Sequence, residues 1–240
     1  MPGPVPLFEI PGWRQRFGVA AGITGRGEGE PFDLGMNPTR PAAAVLRDWA
    51  RFRTAHPAFP NVVLSRQVHG QEVAWHSTGA GWQILDGWDG HATDQAGILL
   101  TITVADCIPV YLLDPTRRSI ALLHCGWRGV AQAILRRGID LMTSRGSTVS
   151  GLVMHCGVGI CGVCYEVGAE VMAACGQPAI GSGPWRLDLR AVLAEQARLH
   201  GVENISTSQF CSGHDRDRFF SHRASAGTDG RMVAYLGLLP

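Results

Sequence analysis

Two apolar runs in the middle of the chain each give way abruptly to a residue that can bind a metal. The first is Gly97-Ile-Leu-Leu-Thr-Ile-Thr-Val-Ala-Asp-Cys107, and the second is Ser119-Ile-Ala-Leu-Leu-His-Cys-Gly-Trp-Arg-Gly129. Both begin as aliphatic and β-branched stretches, the pattern of buried strands. A buried strand that ends in a thiol or an imidazole holds a reactive group on a rigid frame. Upstream, Arg66-Gln-Val-His-Gly70 delivers His69 in the same way. The set His69, Cys107 and His124 suits a tetrahedral zinc with one position left open. Spacing alone leaves another reading standing, two core-edge histidines and a cysteine buried for packing.

The rest of the chain supplies a frame for these strands. Pro41 to Thr54 reads as a helix with proline in its first turn. Short strands are expected near Phe17-Gly-Val-Ala20, at Val62-Val-Leu64, Glu72-Val-Ala-Trp75 and Leu152-Val-Met154, over residues 202–207, and at Met232-Val-Ala-Tyr-Leu236. The glycines of residues 79–92 predict a loop. Asp114-Pro115 with Arg117-Arg118 is a connection of hairpin length between strands 109–113 and 119–124. After Gly129 the period turns helical through Val130, Ile134 and Leu141. Helices are also expected over about 167–175, closed by Gly176, and from Asp188, as cap, to His200. Strands and helices mix without regular alternation. That predicts an α+β fold, a single domain over residues 1–240 with a mixed, sandwich-like β core flanked by helices.

Apolar residues make up 45% of the 240 and charged residues 17%, enough for a sizeable core and against disorder. The net charge of +1 carries no block of one sign, so nucleic acid is not an expected partner. No run approaches the roughly 20 apolar residues that span a bilayer, so a membrane is not expected either. Met1-Pro-Gly-Pro-Val-Pro lacks the marks of a signal peptide. With seven cysteines, an odd number, this favours reduced thiols and a cytoplasmic location over a disulfide framework.

Several further groups can carry chemistry. Asp106 precedes Cys107, and alternation sends the two to opposite sides unless the strand bends. It can orient an imidazole from behind, or simply form the turn ahead of Pro109. Gly126-Trp-Arg-Gly129 sits between strand and helix, where backbone amides and Arg128 form an anion seat or a plain turn. Cys161-Gly-Val-Cys164, near Cys156, has the spacing of a metal or redox motif, without a partner pair at finger spacing. Asp217-Arg-Phe-Phe-Ser-His-Arg223 interleaves aromatic and basic residues, fit to stack a base and hold a phosphate, or to be a solvated loop anchored by Phe219 and Phe220. Glu166 and Asp89-Gly90 are further acidic candidates.

In their order, Gln67-Val-His-Gly70, Thr103-Val-Ala-Asp-Cys107-Ile-Pro-Val110, His124-Cys-Gly-Trp-Arg-Gly129, Cys164-Tyr-Glu-Val-Gly168 and Arg218-Phe-Phe-Ser-His-Arg223 resemble the YfiH/YlmD family over about residues 17–238. That family, once described as multicopper polyphenol oxidoreductases or laccase-domain proteins, is viewed as zinc-dependent purine nucleoside phosphorylases with adenosine deaminase activity, and it includes the vertebrate protein FAMIN. The resemblance implies zinc, with copper as the alternative metal, on His69, Cys107 and His124. It implies purine nucleosides and phosphate as small-molecule partners. Arg128, Arg223 and Phe220 fall in the pocket motifs as substrate-binding candidates, with Arg128 and Asp106 as catalytic ones, Asp106 serving as general acid or base. The chain departs from the family pattern at Cys125 (usually Ala), at Gly157-Val-Gly-Ile-Cys161 (Gly-Pro-x-Ile-Gly), at Cys211-Ser-Gly-His214 (Cys-Thr-Tyr) and at His222-Arg-Ala224 (Tyr-Arg-Arg). Cys125 and His214 could thereby alter metal choice. Nothing in the residues chooses between monomer and homodimer.

Three rival readings use the same residues. Cys107 can be a thiolate nucleophile with His124 or His69 as base, in an amidase or deamidase. A copper-dependent polyphenol oxidase can place Cys and two His around a type 1-like site, but needs more histidines for a trinuclear centre. A structural zinc in an interaction module needs a fourth donor, for which Cys125, His91 and His214 are the candidates.

Overall fold

The strands at 98–104, 108–114 and 119–125 are apolar on both faces because both faces are covered. In the computed structural model, which describes residues 3–36 and 40–240, two six-stranded mixed sheets pack against each other, with helices on the outer faces. The first sheet runs in the order Leu7–Glu9, Val19–Thr24, Met232–Leu238, Ile98–Val104, Asn61–Arg66, Trp82–Asp86. The second runs Asn204–Thr207, Val153–Cys156, Ile108–Asp114, Ser119–Cys125, Gly90–Thr93, Val73–His76. This is the α+β, sandwich-like architecture read from the element pattern.

Strand alternation divides the core into layers. Along Ser119–Cys125, Ile120 and Leu122 enter the layer between the sheets, against Leu100, Ile102 and Met232. Ala121, Leu123 and Cys125 point the other way, toward Ile139 and Met142 of helix Ile134–Ser144 and Leu193 of helix Leu189–Leu199. Outside the first sheet, Trp49 and Phe52 of helix Ala42–Thr54 cover Val62, Leu64, Leu99 and Tyr235. Each such side chain taken out of water contributes about 1.5–3 kcal/mol. Asp188 caps its helix by accepting from the amides of Arg190 and Ala191, as the sequence predicts.

Two expectations need correction. Residues 79–92 are not one loop: Trp82–Asp86 pairs parallel with Asn61–Arg66, and Gly90–Thr93 pairs with Ser119–Cys125. The glycines that suggested a loop bracket and thin these strands. Gly81 and Gly87 adopt positive φ at the two ends of the first, and a Cβ on Gly90 would stand 2.8 Å from the Leu123 side chain. Nor is the helix after Gly126 continuous. Trp127–Ala131 is a five-residue turn of helix, and Ala133, at φ 64°, breaks it before Ile134–Ser144 begins.

Candidate metal centre

The chain passes from one sheet to the other through Ala105-Asp106-Cys107, and this crossing places the thiol. Strand Ile98–Val104 belongs to the first sheet and Ile108–Asp114 to the second. The hairpin register then pairs Ile108 with Cys125 and Pro109 with His124, so Cys107 and His124 share one sheet end. His69 arrives on the loop that leaves Asn61–Arg66, with φ 59°. Donor atoms of His69, Cys107 and His124 all lie within 4.8 Å of one another. The two imidazole rings are 4.9 Å apart and nearly perpendicular.

Asp89 holds both histidines. It is fully buried, and its Oδ1 accepts from His124 Nδ1 at 2.8 Å and from the His69 amide at 3.0 Å. Its Oδ2 accepts from the amides of Val68 and Gly70 at 3.1 and 2.8 Å. One carboxylate therefore fixes the left-handed turn at His69 and the tautomer of His124. A proton on Nδ1 leaves the Nε2 lone pair free to bind a metal. Gln67 ties the same loop to the Cys107 strand: its side-chain oxygen accepts from the Thr103 amide and hydroxyl, and its nitrogen donates to the Thr103 carbonyl.

The charges favour a metal-binding thiol. Burial opposes ionisation of Cys107, yet the positive charge of His124 and hydrogen bonds from His124 and His69 bring it down to about 6. Burial also opposes charge on His124, but Cys107 and Asp89 raise it to about 9. A thiolate and two imidazoles, one braced by a carboxylate, match the donors of an open zinc site. Room is reserved as well. A Cβ on Gly126 would stand 3.0 Å from the Cys107 sulfur and 3.2 Å from the His69 ring, so the glycine of His124-Cys-Gly keeps the donors' space clear.

The other candidates take varied places. Arg128 and Arg223 are exposed and, with the three donors, line a cleft of about 830 Å³. Arg128 lies against Trp127, and Arg223 against Tyr165 while donating to the Glu166 carbonyl. Among the described residues neither guanidinium has a carboxylate partner, whereas Arg66 and Arg40 in the same cleft are paired with Asp86 and Asp48. Asp106 reaches the cleft wall but does not orient an imidazole. That role belongs to Asp89. At φ 83°, Asp106 turns its carboxylate away, and both oxygens are taken at 2.6 Å, by the Ser212 hydroxyl and the Arg223 amide. Phe220 does not line the cleft: it is buried in the layer between the sheets, with Arg26 over its ring. Cys125 faces the opposite, helix-covered layer. His91 is buried against Ser65 and His76. His214 belongs to a separate group of donors. None of these three closes the fourth position.

Asp89, Gln67 and Ser212 are the supporting residues that sequence reasoning did not assign. Asp89 carried a usable signal, an acid within an otherwise uncharged Gly-Trp-Asp-Gly-His-Ala-Thr segment bound for a buried strand.

Known proteins match most of the chain. Residues 17–239 match the family described as multi-copper polyphenol oxidoreductase laccase. The chain is 33% identical to the Geobacillus stearothermophilus protein named purine nucleoside phosphorylase YlmD, over 92% of this chain and 90% of that one. The crystal structure of YlmD from that organism matches with a TM-score of 0.85 at 29% identity, over 93% of each chain. A protein named adenosine deaminase RL5, from an unknown prokaryotic organism, is 34% identical over 61% of each. The crystal structure of Bacillus licheniformis YfiH matches with a TM-score of 0.90 at 26% identity, over 98% of this chain and 97% of that one.

Proposed function

The chain belongs to the multi-copper polyphenol oxidoreductase laccase family, and from that membership we propose that it is a zinc-dependent purine nucleoside phosphorylase that also deaminates adenosine. The observation that carries this reading is the meeting of His69, Cys107 and His124 in a cleft where Arg128 and Arg223 are free of carboxylate partners. The names of its relatives support purine nucleosides as the substrate class.

His69, Cys107 and His124 would hold the metal, which when bound supplies a Lewis acid at the cleft wall. The remaining work falls to the chain. In phosphorolysis the bond from the ribose C1′ to the purine nitrogen breaks, a phosphate oxygen takes its place at C1′, and the departing base gains a proton. Arg128 and Arg223 hold the phosphate and neutralise it as it approaches the ribosyl centre. The Trp127 and Tyr165 rings, both on the cleft wall, give the base a surface to stack on. Asp106 is a positioning residue: it fixes the backbone that carries Arg223. In deamination water replaces the amine at the purine C6 and ammonia leaves. The cleft's volume falls within the usual range for small-molecule sites.

Cys107, His124 and Asp89 also form a relay of nucleophile, base and orienting acid, which favours a thiolate amidase as the second reading. Copper oxidase chemistry draws less support. Among the described residues the only other donor group is one of three cysteines and a histidine, not a histidine-rich trinuclear set.

Zinc-verified protein is incubated with inosine and with adenosine, with and without phosphate, and the products are resolved. Ribose 1-phosphate formed only with phosphate, and inosine formed from adenosine, are expected. Neither product, together with amide hydrolysis by zinc-stripped protein, overturns the reading in favour of the thiolate.

A further inference from the structure

A second set of donors lies outside the cleft and has no part in that chemistry. Cys161, Cys164, Cys211 and His214 each offer an atom within 4.8 Å of the other three. Two tight turns deliver them in pairs. In Cys161-Gly-Val-Cys164 the Cys164 amide donates to the Cys161 carbonyl at 3.0 Å. In Cys211-Ser-Gly-His214 the His214 amide donates to the Cys211 carbonyl at 3.2 Å.

The turns are joined face to face. The Cys161 amide donates to the Cys211 sulfur at 3.2 Å, and the Cys161 sulfur lies 3.6 Å from His214 Nδ1. Gly159 and Cys211 form a β-bridge beside them. Gly213 permits the approach, since a Cβ there would stand 3.1 Å from the Cys164 sulfur. Any disulfide would leave a third sulfur and the imidazole idle, whereas a tetrahedral ion uses all four donors. Three thiolates and an imidazole, with no carboxylate, select a soft or borderline cation over magnesium or calcium. Four protein donors leave no open position, the mark of a structural zinc.

The set also has a mechanical use. Ser212, inside the second turn, donates to Asp106 Oδ1, and Ile160, just before the first, donates its amide to the Asp106 carbonyl at 2.9 Å. Tyr165 follows the first turn directly and anchors its amide on the Cys161 carbonyl.

We propose that Cys161, Cys164, Cys211 and His214 bind a zinc ion of their own, in a closed structural site that staples together the two loops gripping Asp106.

The test counts metal on full-length protein expressed with added zinc, by elemental analysis and native mass spectrometry. Cys107→Ala removes the cleft donor and Cys164→Ser the staple donor. Cys107→Ala is expected to keep about one zinc per chain, lost on adding Cys164→Ser. After exchange to cobalt, Cys107→Ala should show strong thiolate-to-metal absorption that the double variant lacks. Should Cys164→Ser fail to fold, the native chain still decides. Cys161 and Cys164, though partly exposed, should resist iodoacetamide until a strong chelator is added, as peptide mapping reads. A Cys107→Ala protein without zinc or cobalt, a Cys161–Cys164 disulfide in the purified chain, or labelling indifferent to the chelator overturns the proposal. Zinc unchanged by Cys107→Ala but lost in Cys164→Ser sinks the cleft assignment alone.

Discussion

Replacing Asp89 with asparagine probes the centre through a residue that touches no substrate. The aspartate accepts four hydrogen bonds, two on each oxygen. Asparagine has one oxygen and one amino group, so one pair of donors must face another donor. With the amino group toward Val68 and Gly70, two backbone N–H groups lose their acceptor. With it toward His69 and His124, the His69 amide is orphaned and His124 must take the other tautomer, its proton now on Nε2 where a metal would bind. Each buried donor left unsatisfied costs about 1–3 kcal/mol. Asp89→Asn should therefore destabilise the fold by about 1–3 kcal/mol with one donor orphaned and about 2–6 kcal/mol with two, and weaken zinc binding by about 10–100-fold, the usual effect of losing a partner behind a metal-binding histidine. Chelator competition reads the affinity and urea denaturation the stability. Wild-type zinc affinity and inosine turnover in this variant would refute the claim that one carboxylate orients both histidines.

Other perturbations have equally definite outcomes. Gly126→Ala puts a methyl group against the Cys107 sulfur and the His69 ring. It should cost about 1–3 kcal/mol in stability and about tenfold or more in zinc affinity, and unchanged zinc binding would show that the space is not reserved. Arg128→Ala should raise the KM for phosphate by about tenfold or more with little change for inosine, as loss of a charged hydrogen bond predicts; equal effects on both substrates would remove Arg128 from the phosphate. Acid should destabilise the fold before most carboxylates titrate. Burial chiefly, with His76 nearby, holds His91 down to about 3, and burial with Arg190 holds His155 to about 4. Both lie below the ordinary 6.5, so the unfolded chain takes up protons first. The stability they confer is complete above pH 6.5 and is lost as pH falls toward 4. At about 1.4 kcal/mol per pH unit and histidine, pH 5 should leave the protein roughly 4 kcal/mol less stable than pH 7. Denaturation midpoints equal at the two pH values would contradict this.

The strands that carry Cys107 and His124 were legible because each is a long apolar run, and burial on both faces makes such runs unambiguous. Trp82–Asp86 was not. It is five residues between two glycines, and its exposed Ile84 and Asp86 give no clean alternation at the sheet edge. The break at Ala133 was hidden for a related reason: an alanine in a left-handed conformation carries no local signal and is held by the packing of Val130 and Ile134 on one core.

The two aspartates show why the donors were easier to read than their supports. Alternation would make Asp106 and Cys107 diverge only along an unbroken strand; the chain bends here, at φ 83°, and it is the bend that sends the thiol to His69 and His124 and the carboxylate to Ser212 and Arg223. Adjacency in sequence suggested Asp106 as partner to an imidazole, but both of its oxygens are taken by Ser212 and Arg223. The partner had to come from a strand beside His124, and Gly90–Thr93 is that strand, with Asp89 just before it and its carbonyl accepting from the His124 amide at 2.7 Å. Asp106 is instead the hinge between the two donor clusters, tied on one side to Cys107 by the chain and on the other to Ser212. Alteration of the staple should therefore reach the cleft through Arg223, whose amide Asp106 holds, before it reaches His124, whose support is Asp89 and lies on the far side of the thiol.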